Sequence, residues 1–97
     1  MKRKQAIQLL RQNRKELVEE HDVQSLFLFG SVARDEALPD SDIDILVEFS
    51  RPVGLFHFIA LQQRLEDILG CKVDLGTPRS LKPYIKQEVL QEAVRVT

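Results

Sequence analysis

Residues 26–50 read LFLFGSVARDEALPDSDIDILVEFS, and the order of features in this stretch decides the fold. Leu26-Phe27-Leu28-Phe29 is a continuous apolar run stopped by Gly30, so Gln24–Gly30 reads as a buried strand ending in a turn. Ser31–Glu36 reads as a short helix whose N-terminus faces the end of that strand. Ala37–Ser41 is turn chemistry. Asp42–Phe49 is a second strand. Its period of two puts Asp42, Asp44, Leu46 and Glu48 on one side and Ile43, Ile45, Val47 and Phe49 on the other.

Working outward, Arg51-Pro52-Val53-Gly54 breaks the chain before the clearest helix, Leu55–Leu69. Leu55, Phe58, Leu61, Leu65, Ile68 and Leu69 make its apolar stripe, and Gly70 closes it. Lys72–Leu75 is a short third strand. Thr77–Ser80 leads into a last helix whose stripe is Ile85, Val89, Ala93 and Val96. Upstream, Ile7, Leu10, Leu17 and Val18 recur at helical spacing and predict an amphipathic helix over 3–20. The succession α-β-α-β-α-β-α predicts an α+β class, an α/β sandwich. Its small mixed sheet has three or more strands flanked by helices, all in a single domain over 1–97.

The bulk properties narrow the function. The chain has 97 residues, 43% hydrophobic and 30% charged, which fits one soluble globular domain with one modest core. No apolar run approaches a membrane span, and the N-terminal stretch is too charged for a signal peptide. The single cysteine, Cys71, agrees with a reducing cytoplasm. A net charge of −1 disfavours a long polyanion as the principal partner. Positive charge is uneven, however. Residues 1–15 hold Lys2, Arg3, Lys4, Arg11, Arg14 and Lys15 without an acid, and the last third adds Arg79, Lys82 and Lys86.

The central stretch joins two chemistries. Gly30 lets backbone approach a ligand, and the Ser31 hydroxyl with the first N–H groups of the helix behind it makes a site for phosphate. Asp42 and Asp44 project from one face of one strand, about 7 Å apart along it. Carboxylate oxygens suit Mg²⁺, and two such ions can clamp the attacking and leaving oxygens of a phosphoryl or nucleotidyl transfer. If the strand at 72–75 pairs beside that at 42–49, Asp74 reaches the same metal site, with Val73 and Leu75 facing the other layer. Its role there would be to ligate one ion and activate the attacking group. Acids crowded in this way repel by about a kcal/mol or more per pair, so Asp42→Asn is expected to stabilise the metal-free protein while abolishing transfer.

Other polar residues carry blander readings. Arg34 can reach a phosphate from the turn after Ser31 or pair with Asp35, Glu36 or another acid. Arg79 and Lys82 can serve a nucleotide, an acidic partner or only a solvated helix entrance. His57 reads as a packing or surface residue, and His21 as a helix-end residue complementing the dipole. Tyr84 reads as a boundary residue, and Cys71 as a small buried or edge residue.

GS-x10-DxD followed by a lone strand aspartate resembles the polymerase-β-type nucleotidyltransferase superfamily. GSVARDEALPDSDIDILVEF and VDLGTPRSLKPYIKQEVLQEAV resemble, more narrowly, the minimal nucleotidyltransferases, from about Val23 to Val96. That resemblance implies the polymerase-β-like fold, Mg²⁺ and ATP as cofactors, and an antitoxin role toward a HEPN-domain ribonuclease toxin. The reaction implied is transfer of AMP to a tyrosine of that toxin. Gly30 and Ser31 would hold the triphosphate, and Asp42, Asp44 and Asp74 would form the metal triad. One departure stands out: a glycine often follows the arginine of the GSxAR stretch, and here the residue is Asp35. The alternatives are an antitoxin acting by steric binding alone, and a small-molecule nucleotidyltransferase working with a separate binding subunit.

Overall fold

A computed structural model describes residues 1–38, 40–80, 83, 87, 91 and 93–96. Helices α1 (Arg3–Gln12) and α2 (Arg14–His21) lead into strand β1 (Val23–Phe29) and a one-turn helix α3 (Gly30–Ala33). Strand β2 (Ile43–Phe49), helix α4 (Leu55–Leu69), strand β3 (Val73–Gly76), a 3-10 turn (Pro78–Ser80) and strand β4 (Val94–Arg95) follow. The sheet order is β3-β2-β1-β4. β2 runs antiparallel to β1 and parallel to β3, and β4 runs antiparallel to β1, so the expected mixed sheet has four strands.

The period of two seen in the sequence sorts the two faces of this sheet. Leu26 and Leu28 of β1 lie opposite Val47 and Ile45 of β2, and Ile43 and Ile45 lie opposite Val73 and Leu75 of β3. These side chains join Ala6, Leu10, Leu17, Leu61, Leu65 and Leu69 in one buried core beneath the helices. The other face carries Phe27, Phe29, Asp44, Leu46 and Asp74. The carboxylates therefore stand on the sheet face opposite the main core.

Several expectations change. The helix expected over 3–20 breaks at Asn13, whose amide donates to the Leu9 carbonyl at 2.9 Å and so competes with the helix ladder. The break turns Val18 outward, 42% exposed, while Ala6, Leu10 and Leu17 face the core. Leu55 and Phe56, in the first turn of α4, are exposed at 69% and 86%; the buried stripe of that helix begins at Leu61. Ala93 and Val96 do not continue a helical stripe: β4 between them adds to the edge of β1, and the Val96 N–H donates to the Leu26 carbonyl at 2.8 Å. Of the expected last helix, Pro83, Gln87 and Gln91 are helical. Lys82, Tyr84, Ile85, Lys86 and Val89 lie outside the described residues.

Gly70 ends α4 as expected, at φ 71° with its N–H on the Glu66 carbonyl. A Cβ there would meet nothing within 4 Å among the described residues, so the cost of Gly70→Ala is that of the left-handed backbone. A loss of about 1 kcal/mol in chemical denaturation is expected, with function unchanged.

Candidate functional site

Two strand pairings assemble the site. The antiparallel register of β1 and β2 puts Phe29 opposite Asp44, so the turn starting at Gly30 lies against the beginning of β2. The parallel register of β2 and β3 makes Asp44 the direct neighbour of Asp74, about 4.8 Å away at the backbone. Asp42 stands just before β2, two residues from Asp44. Asp42 and Asp74 are exposed, and Asp44 is half-buried.

Gly30 is the tightest joint. Its φ is 67°, and a Cβ on it would overlap the Asp44 Oδ2 atom and lie 3.2 Å from Asp44 Cγ. No other residue type satisfies both the dihedral and the space. Ser31 follows in α3, half-buried, and its carbonyl accepts the Glu36 N–H at 2.8 Å. Turn and carboxylate are thus in direct contact.

The electrostatics single out Asp44. Burial first, then the charges of Asp74 and Asp42, push its carboxyl above the usual aspartate range, while the charge of Arg34 acts the other way. The repulsion among the three acids is thus felt at Asp44. Of the two readings of Arg34, the structure shows the pairing with an acid: its Nε donates to Glu36 Oε2 at 3.3 Å, and its charge also acts on Asp44.

The aspartates form an open set of donors. Among the described residues, three candidate ligand atoms lie within 4.8 Å of one another at Glu16, Glu20 and His21, not at Asp42, Asp44 and Asp74. Glu16 is already held by Arg64, whose Nη2 donates to Oε1 at 2.8 Å. That bond holds the Glu16 carboxyl below its ordinary range. An open set of hard oxygens whose central carboxyl resists ionisation fits Mg²⁺, which keeps waters and substrate phosphates in its shell.

The remaining candidates stay apart from this cluster. His57 Nε2 lies 2.8 Å from the His21 carbonyl oxygen and 3.3 Å from Asp22 Oδ2, with its ring edge-on to Phe49, so it ties α4 to the end of α2. His21, the last residue of α2, has its Nε2 3.8 Å from Glu16. Cys71 is half-buried and free, and burial raises its thiol pKa. Arg79 lines a cavity of about 630 Å³ at the far end of β2, together with Glu48, Phe49, Arg51, Pro52 and Phe58. None of the six residues expected to form the site lines that cavity. Sequence reading noted Asp35 as a departure but missed its backbone, which has φ 59°. The available signal was its occupation of a place where glycine is frequent, since aspartate is among the few residues that tolerate positive φ.

A four-stranded mixed sheet flanked by helices, with acids on adjacent parallel strands, is the polymerase-β-like nucleotidyltransferase fold. The family model described as "Nucleotidyltransferase domain" matches residues 10–96. The chain belongs to that family, as one of its minimal members. It is 46% identical over 88 residues to the protein adenylyltransferase MntA of Thermococcus cleftensis, covering 91% of this chain and 89% of the relative. A solved chain described as a minimal nucleotidyltransferase superimposes with TM-score 0.76 at 37% identity, covering 97% of this chain and 95% of its own. A chain from the complex of a tri-AMPylated Shewanella oneidensis HEPN toxin with its MNT antitoxin gives TM-score 0.65 at 26% identity. That match covers 94% of this chain and 71% of the other.

Proposed function

We propose that the chain is a cytoplasmic, Mg²⁺-dependent protein adenylyltransferase. It moves AMP from ATP to a tyrosine hydroxyl of a HEPN-type ribonuclease toxin, with pyrophosphate leaving as the tyrosine–phosphorus bond forms, and so acts as its antitoxin. The observation that carries this reading is the contact of the Gly30 turn with Asp44, itself the register partner of Asp74. Relatives named for adenylyl transfer and for a complex with an AMPylated HEPN toxin support the donor and the acceptor class. Among the described residues no helix is long and apolar enough to cross a membrane, which agrees with a partner met in solution.

Each residue has a task in this reading. Gly30 lets the triphosphate approach the backbone, Ser31 offers it a hydroxyl and N–H donors, and Arg34 adds positive charge beside it. Asp42, Asp44 and Asp74 would hold two Mg²⁺ ions, which when bound neutralise charge on the attacking and leaving oxygens. Asp74, exposed at the rim, accepts the proton of the incoming hydroxyl. In this reading a partner protein supplies the hydroxyl in trans, which the complex of a related chain with a tri-AMPylated toxin supports.

Intact-mass spectrometry tests this directly. The chain is incubated with Mg-ATP and the product of the neighbouring gene, and that partner should gain increments of AMP. Those increments should vanish with Asp42→Asn/Asp44→Asn. Tight binding of the partner with no mass increment would instead identify an antitoxin that works by steric cover.

A further inference from the structure

Asp35 has no task in the transfer reaction, yet it holds a left-handed backbone, φ 59°, that favours glycine. Its side chain bonds far away in sequence. Asp35 Oδ1 accepts the backbone N–H of Arg3 at 3.0 Å, 32 residues distant. Arg3 opens α1, a helix whose own N-cap, Lys2, makes no side-chain cap bond and whose first turn contains no acid. Asp35 therefore caps α1 from outside. It also brings a negative charge to Lys2, Arg3 and Lys4, three cations at a helix end where the dipole disfavours them.

The bond is reciprocated. Arg3 Nη1 donates to the carbonyl of Ala33, the last residue of α3, at 3.0 Å. Each element thus satisfies a terminal backbone group of the other. A helix of a single turn has no stability of its own, because nucleation costs more than one turn of bonds returns. Upstream, α3 is held by β1 and by the Gly30–Asp44 contact. Downstream it is held by this pair.

We infer that the Arg3–Asp35 pair is a clamp that positions the phosphate turn, holding α3 and Ser31 in the geometry that accepts a triphosphate. The inference rests on the Gly30–Ser31 phosphate reading above and adds two positioning residues to it. Without the clamp, fewer molecules hold the competent turn. Apparent nucleotide affinity falls by that fraction, and the rate at saturation does not. Simple electrostatics predicts the opposite sign, because removing an acid beside a triphosphate should tighten binding.

The test compares the wild-type chain with Asp35→Gly and Asp35→Asn. Glycine fits φ 59° but makes no bond, whereas asparagine keeps both the backbone and the acceptor. Calorimetric titration with Mg²⁺ and α,β-methylene-ATP should show binding weakened about fivefold in Asp35→Gly, the factor a lost helix cap is worth, and near wild type in Asp35→Asn. The KM for ATP in AMP transfer should rise with kcat unchanged. Hydrogen exchange over residues 31–36 should quicken in Asp35→Gly without any nucleotide. Unweakened binding in Asp35→Gly, or a fall in kcat at constant KM, overturns the clamp. If the wild-type chain takes no Mg-nucleotide, the phosphate reading fails, and exchange alone decides. Unchanged exchange over 31–36 in Asp35→Gly then overturns the clamp, and faster exchange there sustains it.

Discussion

Gly30→Ala should reduce AMP transfer at least about a hundredfold while leaving the chain folded, because it displaces the site's central carboxylate. Two costs coincide at this position. Alanine at φ 67° meets the left-handed penalty of roughly 1–2 kcal/mol. Its Cβ would also occupy the space of Asp44 Oδ2 and lie 3.2 Å from Cγ, so one partner must move. If Asp44 swings aside, its oxygens leave the place shared with Asp74. If the turn moves instead, Ser31 leaves the place where it meets phosphate. Either displacement is on the scale of an ångström, which is the scale that costs a transfer reaction two orders of magnitude. Gly70→Ala is the internal control: it carries the same backbone penalty with nothing among the described residues within 4 Å. A time course of intact masses, read beside a thermal melt, separates the cases. Transfer by Gly30→Ala within about threefold of Gly70→Ala would mean that the close approach has no part in the reaction.

The features that make this contact were legible because they repeat with a period. Alternation across Asp42–Phe49 and Lys72–Leu75 assigned Ile43, Ile45, Val73 and Leu75 to the core and left Asp44 and Asp74 together on the other face. Parallel pairing in the stated register confirms that assignment. The stripe at Leu61, Leu65 and Leu69 likewise anticipated the buried side of α4. What escaped has no period. The break at Asn13 arises from one side-chain bond to Leu9, which hydropathy does not record. β4 is two residues long, and its pairing with Phe27 and Leu28 is made by backbone groups, so Ala93 and Val96 on either side of it read as the end of a helical stripe. Leu55 obeys the helical spacing but stands 69% exposed in the first turn, before the stripe that packs against the core. The Arg3–Asp35 bond joins residues 32 apart, and only a fold brings them together.

Asp44→Asn should invert the stability order of the protein between chelator and Mg²⁺. Burial and the charges of Asp74 and Asp42 raise the Asp44 carboxyl above its ordinary 3.8, so the folded chain holds this proton at pH values where the unfolded chain has lost it. Ionised Asp44 therefore opposes folding. The penalty is absent below pH 3.8, grows as pH rises from there to the folded value, and is complete above it. Asparagine, nearly isosteric and never charged, should raise the melting temperature in chelator at pH 7 by a few degrees. That corresponds to roughly 0.5–1 kcal/mol once solvent screening of a half-exposed group is allowed for. At pH 3 the two proteins should melt alike. Magnesium reverses the advantage, because an ion that binds only the native state stabilises it in proportion to its affinity, and the variant lacks the central ligand. Transfer by the variant should fall about a thousandfold or more, the scale of the charge stabilisation that a bound metal supplies. The stability and activity readouts are independent. A variant that melts below wild type in chelator at pH 7, or that gains as much as wild type from Mg²⁺, would show that the carboxylates on the sheet face opposite the main core are not held in mutual repulsion for a cation.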